Sequence, residues 1–395
     1  MSDVKKIAQL LKASVQAEVQ GMESLYETSQ LVGKLRKMIY FLQLERGASA
    51  LHLVLGEVDE KVDYTKYRAL FCEERRVFDS LIEQWLDNSQ GKAVQSGIFI
   101  SIAKSLNLMN SVLFDVRRDV DSQSISPAQA TSFFSQVIKS FIDIVVEMTE
   151  LPQEPDVSKL MVSLIYILNA KELAGQERAL GTYIKAAKLF NDEVLVSQLS
   201  SVIQMQDYNL IAAKDYLPQH LLEGLKTLSQ DKAFFQSRES VLDPSLFGVL
   251  VARKWFEAST AHIDIIQNLE ESLMQLVMKT CVIKLTQAEK LLNKDEIFFD
   301  NHITEPDVKL DVSLSAKSLL IEKLKQQGGE LKKTQEELAL TRQALNEQKI
   351  LQRAKAKLMK HFKLSEEVAH QKMQQLAMSQ GEKIITVAEK VLKAD

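Results

Sequence analysis

Apolar residues recur with helical spacing over most of the chain. Leu31, Leu35, Met38 and Leu42 form one stripe that continues through Ser49 to Leu53. Leu160, Leu164, Ile167 and Ala174 form a second. Spacings of three and four residues place such positions on one helix face. Polar interruptions fall near 56–62, 88–93, 121–127, 150–157, 187–193, 214–218 and 240–245. Pro127, Pro152, Pro155, Pro218 and Pro244 sit at or near these breaks, where helices end. The pattern predicts long antiparallel bundle helices up to about residue 295. The last span, from about Ser245 to Leu292, is long enough for two helices or one very long one.

Residues 295–317, with Pro306, lose the helical period, so the chain divides into a bundle at 1–295, a linker at 296–330 and a C-terminal unit at 331–395. Leu324, Leu331, Leu338 and Leu345 recur every seven residues around Gly328 and Gly329, with the polar Gln327, Thr334, Thr341 and Gln348 on the second seam. Leucine at one of two core positions suits a short, adjustable coiled coil and a homodimer.

Composition sharpens the class. The chain has 395 residues, 46% of them hydrophobic, with 13 Gly and 6 Pro. So few turn formers argue against a β-rich fold, and the fold class is all-α. Cys72 and Cys281 stand far apart, and the six histidines form no paired-ligand pattern, so no metal site or cofactor is expected. No nucleophile–base constellation or phosphate-cradling glycine loop appears, so no catalytic residue is assigned and an enzyme is not expected. The most apolar run, Leu160 to Ala170, is too short to span a bilayer and reads as a core helix. A cytoplasmic protein without membrane contact is expected. Residues 331–395 carry 13 Lys+Arg against 8 Asp+Glu; the whole chain is −4, which leaves −9 for 1–330. A basic tail on an acidic body suggests that the tail meets a polyanion.

Arg46 falls on the first apolar stripe, in FLQLERGASALHL, and Arg178 on the second, in ELAGQERALG. The two segments share Glu-Arg followed by a small residue, 132 positions apart, as an internal pseudo-repeat would. An arginine inside a bundle is costly unless something negative meets it. Its planar fork suits oxyanions, so two converging arginines could clamp one, or each could pair with a glutamate. Lys171, two turns before Arg178, and Arg238, after Phe234-Phe235, are further candidate cations.

With QLERG near its start, GQERALG midway and RKWFEASTAHIDIIQNLEESL at 253–273, the bundle resembles the nitrate- and nitrite-sensing (NIT) domain of bacterial receptors. The resemblance implies a pair of helical bundles that binds nitrate or nitrite between helices, with Arg46 and Arg178 foremost.

The C-terminal stretch 352–392 reads as three short helices: Ser365 caps the second and Gly381 breaks before the third. Its small core would comprise Ala354, Leu358, Met359, Val368, Met373, Leu376, Ala377, Ile384, Ile385 and Ala388. Arg353, Lys357 and Lys360 form one basic face, with Lys355 and Lys363 nearby. Such a face is either solvated or meets nucleic acid backbone. Ala354-Lys355 with Leu358-Met359, followed by Ala369-His370 and Ala377-Met378, resembles the ANTAR module, an RNA-binding domain of transcription antiterminators. Ala356, His370 and Gln374 stand where that family usually has Gly, Tyr and Arg. The resemblance implies leader mRNA hairpins as partners, RNA polymerase affected only indirectly, and RNA contacts at Arg353, Lys355, Lys357, Lys360, Lys363, His370 and Gln374. The alternative is a helical anion-sensing or coiled-coil protein that regulates a partner protein or DNA.

Overall fold

The computed structural model describes residues 2–56, 63–88, 96–148, 154–303, 347, 350–362 and 364–393. Among them every regular element is helical. The heptad leucines and most of the predicted linker lie outside the described residues, as does Lys363.

Ten principal helices precede the linker: α1 (Ser2–Leu55), α2 (Tyr64–Asn88), α3 (Ser96–Leu108), α4 (Phe114–Asp121), α5 (Pro127–Met148), α6 (Pro155–Ala187), α7 (Glu193–Lys214), α8 (Leu222–Ser229), α9 (Lys232–Glu239) and α10 (Val249–Ile303). The C-terminal unit holds α11 (350–362), α12 (Glu366–Gln380) and α13 (Ile384–Lys393).

Helix starts follow the polar breaks for local reasons. Pro155 occupies the first turn of α6, where a missing N–H is harmless, while the Glu154 side chain accepts from the Val157 N–H. Asp192 caps α7 in the same way. Three features differ from the sequence pattern. Met109–Leu113 forms a π-helical turn between α3 and α4. The span after Pro218 is split, because Asp231 turns its carboxylate onto the Phe234 N–H and starts a new helix. Helix α10 is a single helix that continues to Ile303, past the position at which the helical period is lost.

Helices α2 and α5 pack on the C-terminal half of α1, and α3 packs on α5; α7 and α10 pack on α6. Contacts of α1 with α6 and α10 join the two groups. Residues 160–170 of α6 are buried apart from the half-exposed Asn169, as expected of a core helix. The segment Ile98–Asp121 is apolar and long enough to cross a membrane; one face, with Ile98, Ile102, Met109, Leu113, Val116 and Val120, is buried in the core, and 28% of its apolar stretch is buried in all.

Around Leu351, Ala354, Met373, Ala377, Val387 and Ala388, the C-terminal helices build a separate small core. Ser365 accepts from the Val368 N–H at 3.3 Å, and Gly381 ends α12 at φ 64°, a left-handed conformation that costs glycine little. Leu376, counted in that core from the sequence, is instead 43% exposed.

Candidate functional site

Arg46 on α1 and Arg178 on α6 point into the seam between their helices, and both are buried. They cross: a Cβ placed on Gly47 would fall inside the Arg178 guanidinium, and one on Gly175 would fall against Arg46. Each glycine is therefore the space that the opposite arginine occupies. The structure brings these two residues together.

Their surroundings are unequal. Arg46 donates to Ser135 Oγ at 2.7 Å and forms an ion pair with Glu172. The Glu172 carboxylate also accepts from Gln43 and Gln176, at 2.9 Å each. Arg178 donates to Thr260 Oγ1 at 2.9 Å and to the Gln43 carbonyl at 3.3 Å, and lies 4.7 Å from the Phe256 ring centre. Among the described residues no carboxylate pairs with it. Burial, and then the charge of Arg46, push the Arg178 guanidinium down to about 10. Neither Nε has a partner, nor do the buried Gln43 Oε1 and Ser49 Oγ. A buried cation facing a second cation, with hydrogen-bonding capacity to spare, fits a small planar oxyanion.

The glutamates of the two Glu-Arg pairs face the other way. Glu45 accepts from Arg117 at 2.8 and 2.6 Å, with Arg68 added at 3.1 Å. Glu177 accepts from Arg238 at 2.7 and 2.6 Å. The repeat is thus structural as well as sequential, and neither glutamate neutralises its neighbouring arginine. Arg238 sits in that second clamp, with Gln206 and the Phe234 ring, rather than beside Arg178. Lys171 is also occupied, by Glu270 and Gln267 and over the Tyr40 ring. Burial lowers its affinity for a proton, and Glu270 works against that.

Of the predicted RNA-contacting residues, Arg353 and Lys360 are exposed, Lys357 and Gln374 half-exposed, and Lys355 and His370 buried. His370 is buried where α12 packs against α7, and Lys355 lies against Glu366 on the side facing α5. Glu366 bridges Lys355 (2.6 Å) and Lys139 of α5 (2.8 Å). Burial alone would raise that carboxyl, but the two lysines outweigh it and hold it low. His370 lies 6.3 Å from Tyr208, ring to ring, and burial pushes it down to about 4. A cavity of about 570 Å³ runs along this contact, lined by Ser135, Lys139, Glu172, Asn209, Lys355 and His370 among others. Ser135 and Glu172 are the partners of Arg46, so the arginine pair and the docked C-terminal unit share two residues.

Sequence reasoning missed Glu172, Ser135, Gln43 and Thr260. Gln43 and Glu172 lie beside candidates already singled out, but Ser135 on α5 carries no local signal.

A helical bundle with a buried arginine pair, joined to a basic three-helix unit, is the architecture of a one-chain sensor and effector. Residues 37–277 match the NIT family, nitrate and nitrite sensing, and the chain belongs to that family. Residues 339–392 match the ANTAR domain. The chain is similar to the nitrate regulatory protein of Klebsiella oxytoca, 28% identical over 381 residues, which cover 94% of this chain and 91% of that one. Its fold is similar to the solved structure of the NasR transcription antiterminator, with a TM-score of 0.61, 24% identity and 98% of both chains covered.

Proposed function

We propose that the protein is a nitrate- or nitrite-responsive positive regulator acting by transcription antitermination. The observation that carries this reading is Arg178, a buried cation without a carboxylate partner facing Arg46, in a chain that also bears an ANTAR unit. Nitrate or nitrite bridges the two guanidinium groups, while Lys171 and Arg238 hold the surrounding helices through their own carboxylates. Residues 1–295 act as the sensor, 296–330 as the linker and 331–395 as the RNA-binding unit.

Without anion, α12 is held on the bundle by Lys139, Glu366 and His370, which covers Lys355 and His370. Anion at the arginine pair shifts Arg46 against Ser135 and Glu172, both of which line the docking cleft. An effector moves such an equilibrium only by its differential affinity for the two states, so release follows if it binds the undocked form more tightly. The freed unit binds leader RNA hairpins, as a homodimer through the heptad leucines, and blocks terminator formation. RNA polymerase is affected only indirectly. This role needs no catalysis and is exercised in the cytoplasm.

Calorimetric titration of nitrate and nitrite into the intact protein and Arg46→Ala, with chloride as control, tests the reading. Saturable, selective heat that vanishes in the variant supports it. No heat in either protein, with an unchanged melting temperature, refutes it.

A further inference from the structure

Two buried arginines would give the site two positive charges, and a site of charge +2 suits a divalent anion as well as a monovalent one. Glu172 changes that count. Its carboxylate is 6% exposed, pairs with Arg46 and is fixed by Gln43 and Gln176 from either side. The other ionised groups nearby cancel within their own clusters. Lys171 and Arg36 share Glu270, with Glu271 on Arg36. Glu45 is taken by Arg117 and Arg68, with Asp121 also on Arg68, and Glu177 by Arg238. Asp264 is exposed and acts on Arg178 only through space. The seam therefore holds Arg46, Arg178 and Glu172, a net charge of +1.

We infer that Glu172 is the residue that sets the valence selectivity of the anion site: by neutralising one of two guanidinium groups, it admits a singly charged oxyanion and rejects a doubly charged one. The inference rests on the anion-binding reading above. A divalent ion entering a +1 site leaves a net negative charge in a buried seam, where an uncompensated charge is heavily penalised. Sulfate and nitrate both offer paired oxygens to a guanidinium fork, and charge is the part of their discrimination that a change at Glu172 removes while the two arginines stay in place.

The test is titration of nitrate and of sulfate into the full chain as wild type, Glu172→Gln and Glu172→Asp. Glutamine keeps the shape and removes the charge; its oxygen can still accept from Arg46 and Gln176, and its amide N–H can donate to the unpartnered Gln43 Oε1 once that side chain turns over. At an effective dielectric constant of about 20, a unit charge about 6 Å from the ligand corresponds to about a hundredfold in affinity. The wild type is expected to bind nitrate and not sulfate. Glu172→Gln should bind nitrate at least about tenfold more tightly and acquire saturable sulfate binding. Glu172→Asp, which keeps the charge, should still reject sulfate. A residue that merely glues α1 to α6 would move stability without moving the sulfate-to-nitrate ratio, and an unchanged ratio in folded Glu172→Gln overturns the inference. If that variant does not fold, Glu172→Met decides, because it also removes the charge at similar volume. A shift of the ratio toward sulfate then supports the inference and no shift overturns it. If the wild type binds no anion but Glu172→Gln does, the nitrate reading fails and the role of Glu172 stands; if neither binds, both fail.

Discussion

Replacing Arg178 by Met should make the anion-free protein more stable while removing its response to nitrate. Arg178 is buried, has no carboxylate partner, and faces a second guanidinium. Burial and Arg46 push its guanidinium from the ordinary arginine range down to about 10, so keeping it charged costs about 3 kcal/mol at 1.36 kcal/mol per pKa unit. The cost is fully present at neutral pH, which lies below the titration of this group in both the folded and the unfolded protein. Met keeps an unbranched apolar stem over Phe256 but loses the hydrogen bonds to Thr260 and Gln43, which offset part of that gain. The net expectation is a stabilisation of about 1–3 kcal/mol, which is 2–4 °C per kcal/mol for a unit of this size. In the wild type, nitrate at a hundred times its Kd returns about 2.7 kcal/mol by mass action. Thermal melts with and without nitrate should therefore cross: the variant melts higher without the anion, and the wild type catches up only with it. A variant that melts several degrees lower without anion, or that still gains stability from nitrate, would refute the reasoning.

Two further expectations concern the docked C-terminal unit. Glu366→Gln breaks the partly exposed bridge from Lys355 to Lys139, worth about 1–2 kcal/mol, and should raise hairpin RNA affinity without nitrate by about tenfold; equal affinity in filter binding would show that the bridge does not hold the unit closed. Docking should also depend on pH through two opposed groups. His370 is held at about 4 when buried, against 6.5 when free, so docking weakens as pH falls through 6.5, by about 2 kcal/mol at pH 5. Asp143 is pushed up to about 6 by burial, with Lys139 opposing and Glu366 adding to it, so its contribution favours docking as pH falls below 6. Asp143→Asn should expose the His370 effect, seen as lower amide protection factors in α12 at pH 5 than at pH 7.5 once the slower intrinsic exchange at low pH is divided out, and equal protection at both pH values in that variant would count against His370 as a docking contact.

The sequence by itself determined the all-helical class, most helix ends and the identity of the arginine pair. Local rules fix those features: the three- and four-residue period selects the buried face, Pro155 and Asp192 act within one turn, and Gly381 must sit where φ is positive. Gly47 and Gly175 stand within the two segments that carry the arginines, and only the fold shows that a guanidinium from the facing helix fills the space beside each one. Charge balance was not legible. Arg46, Arg178, Arg238 and Lys171 look alike as cations on apolar stripes, and only packing across α1, α5, α6, α9 and α10 assigns Glu172 to Arg46, Glu177 to Arg238, Glu270 to Lys171, and no carboxylate to Arg178. Docking of α12 on α7, which buries His370, and the Lys355–Glu366–Lys139 bridge to α5 were hidden for the same reason. Ion pairing and burial between distant segments depend on which faces the tertiary fold brings within a few ångströms, and helical periodicity carries no record of that.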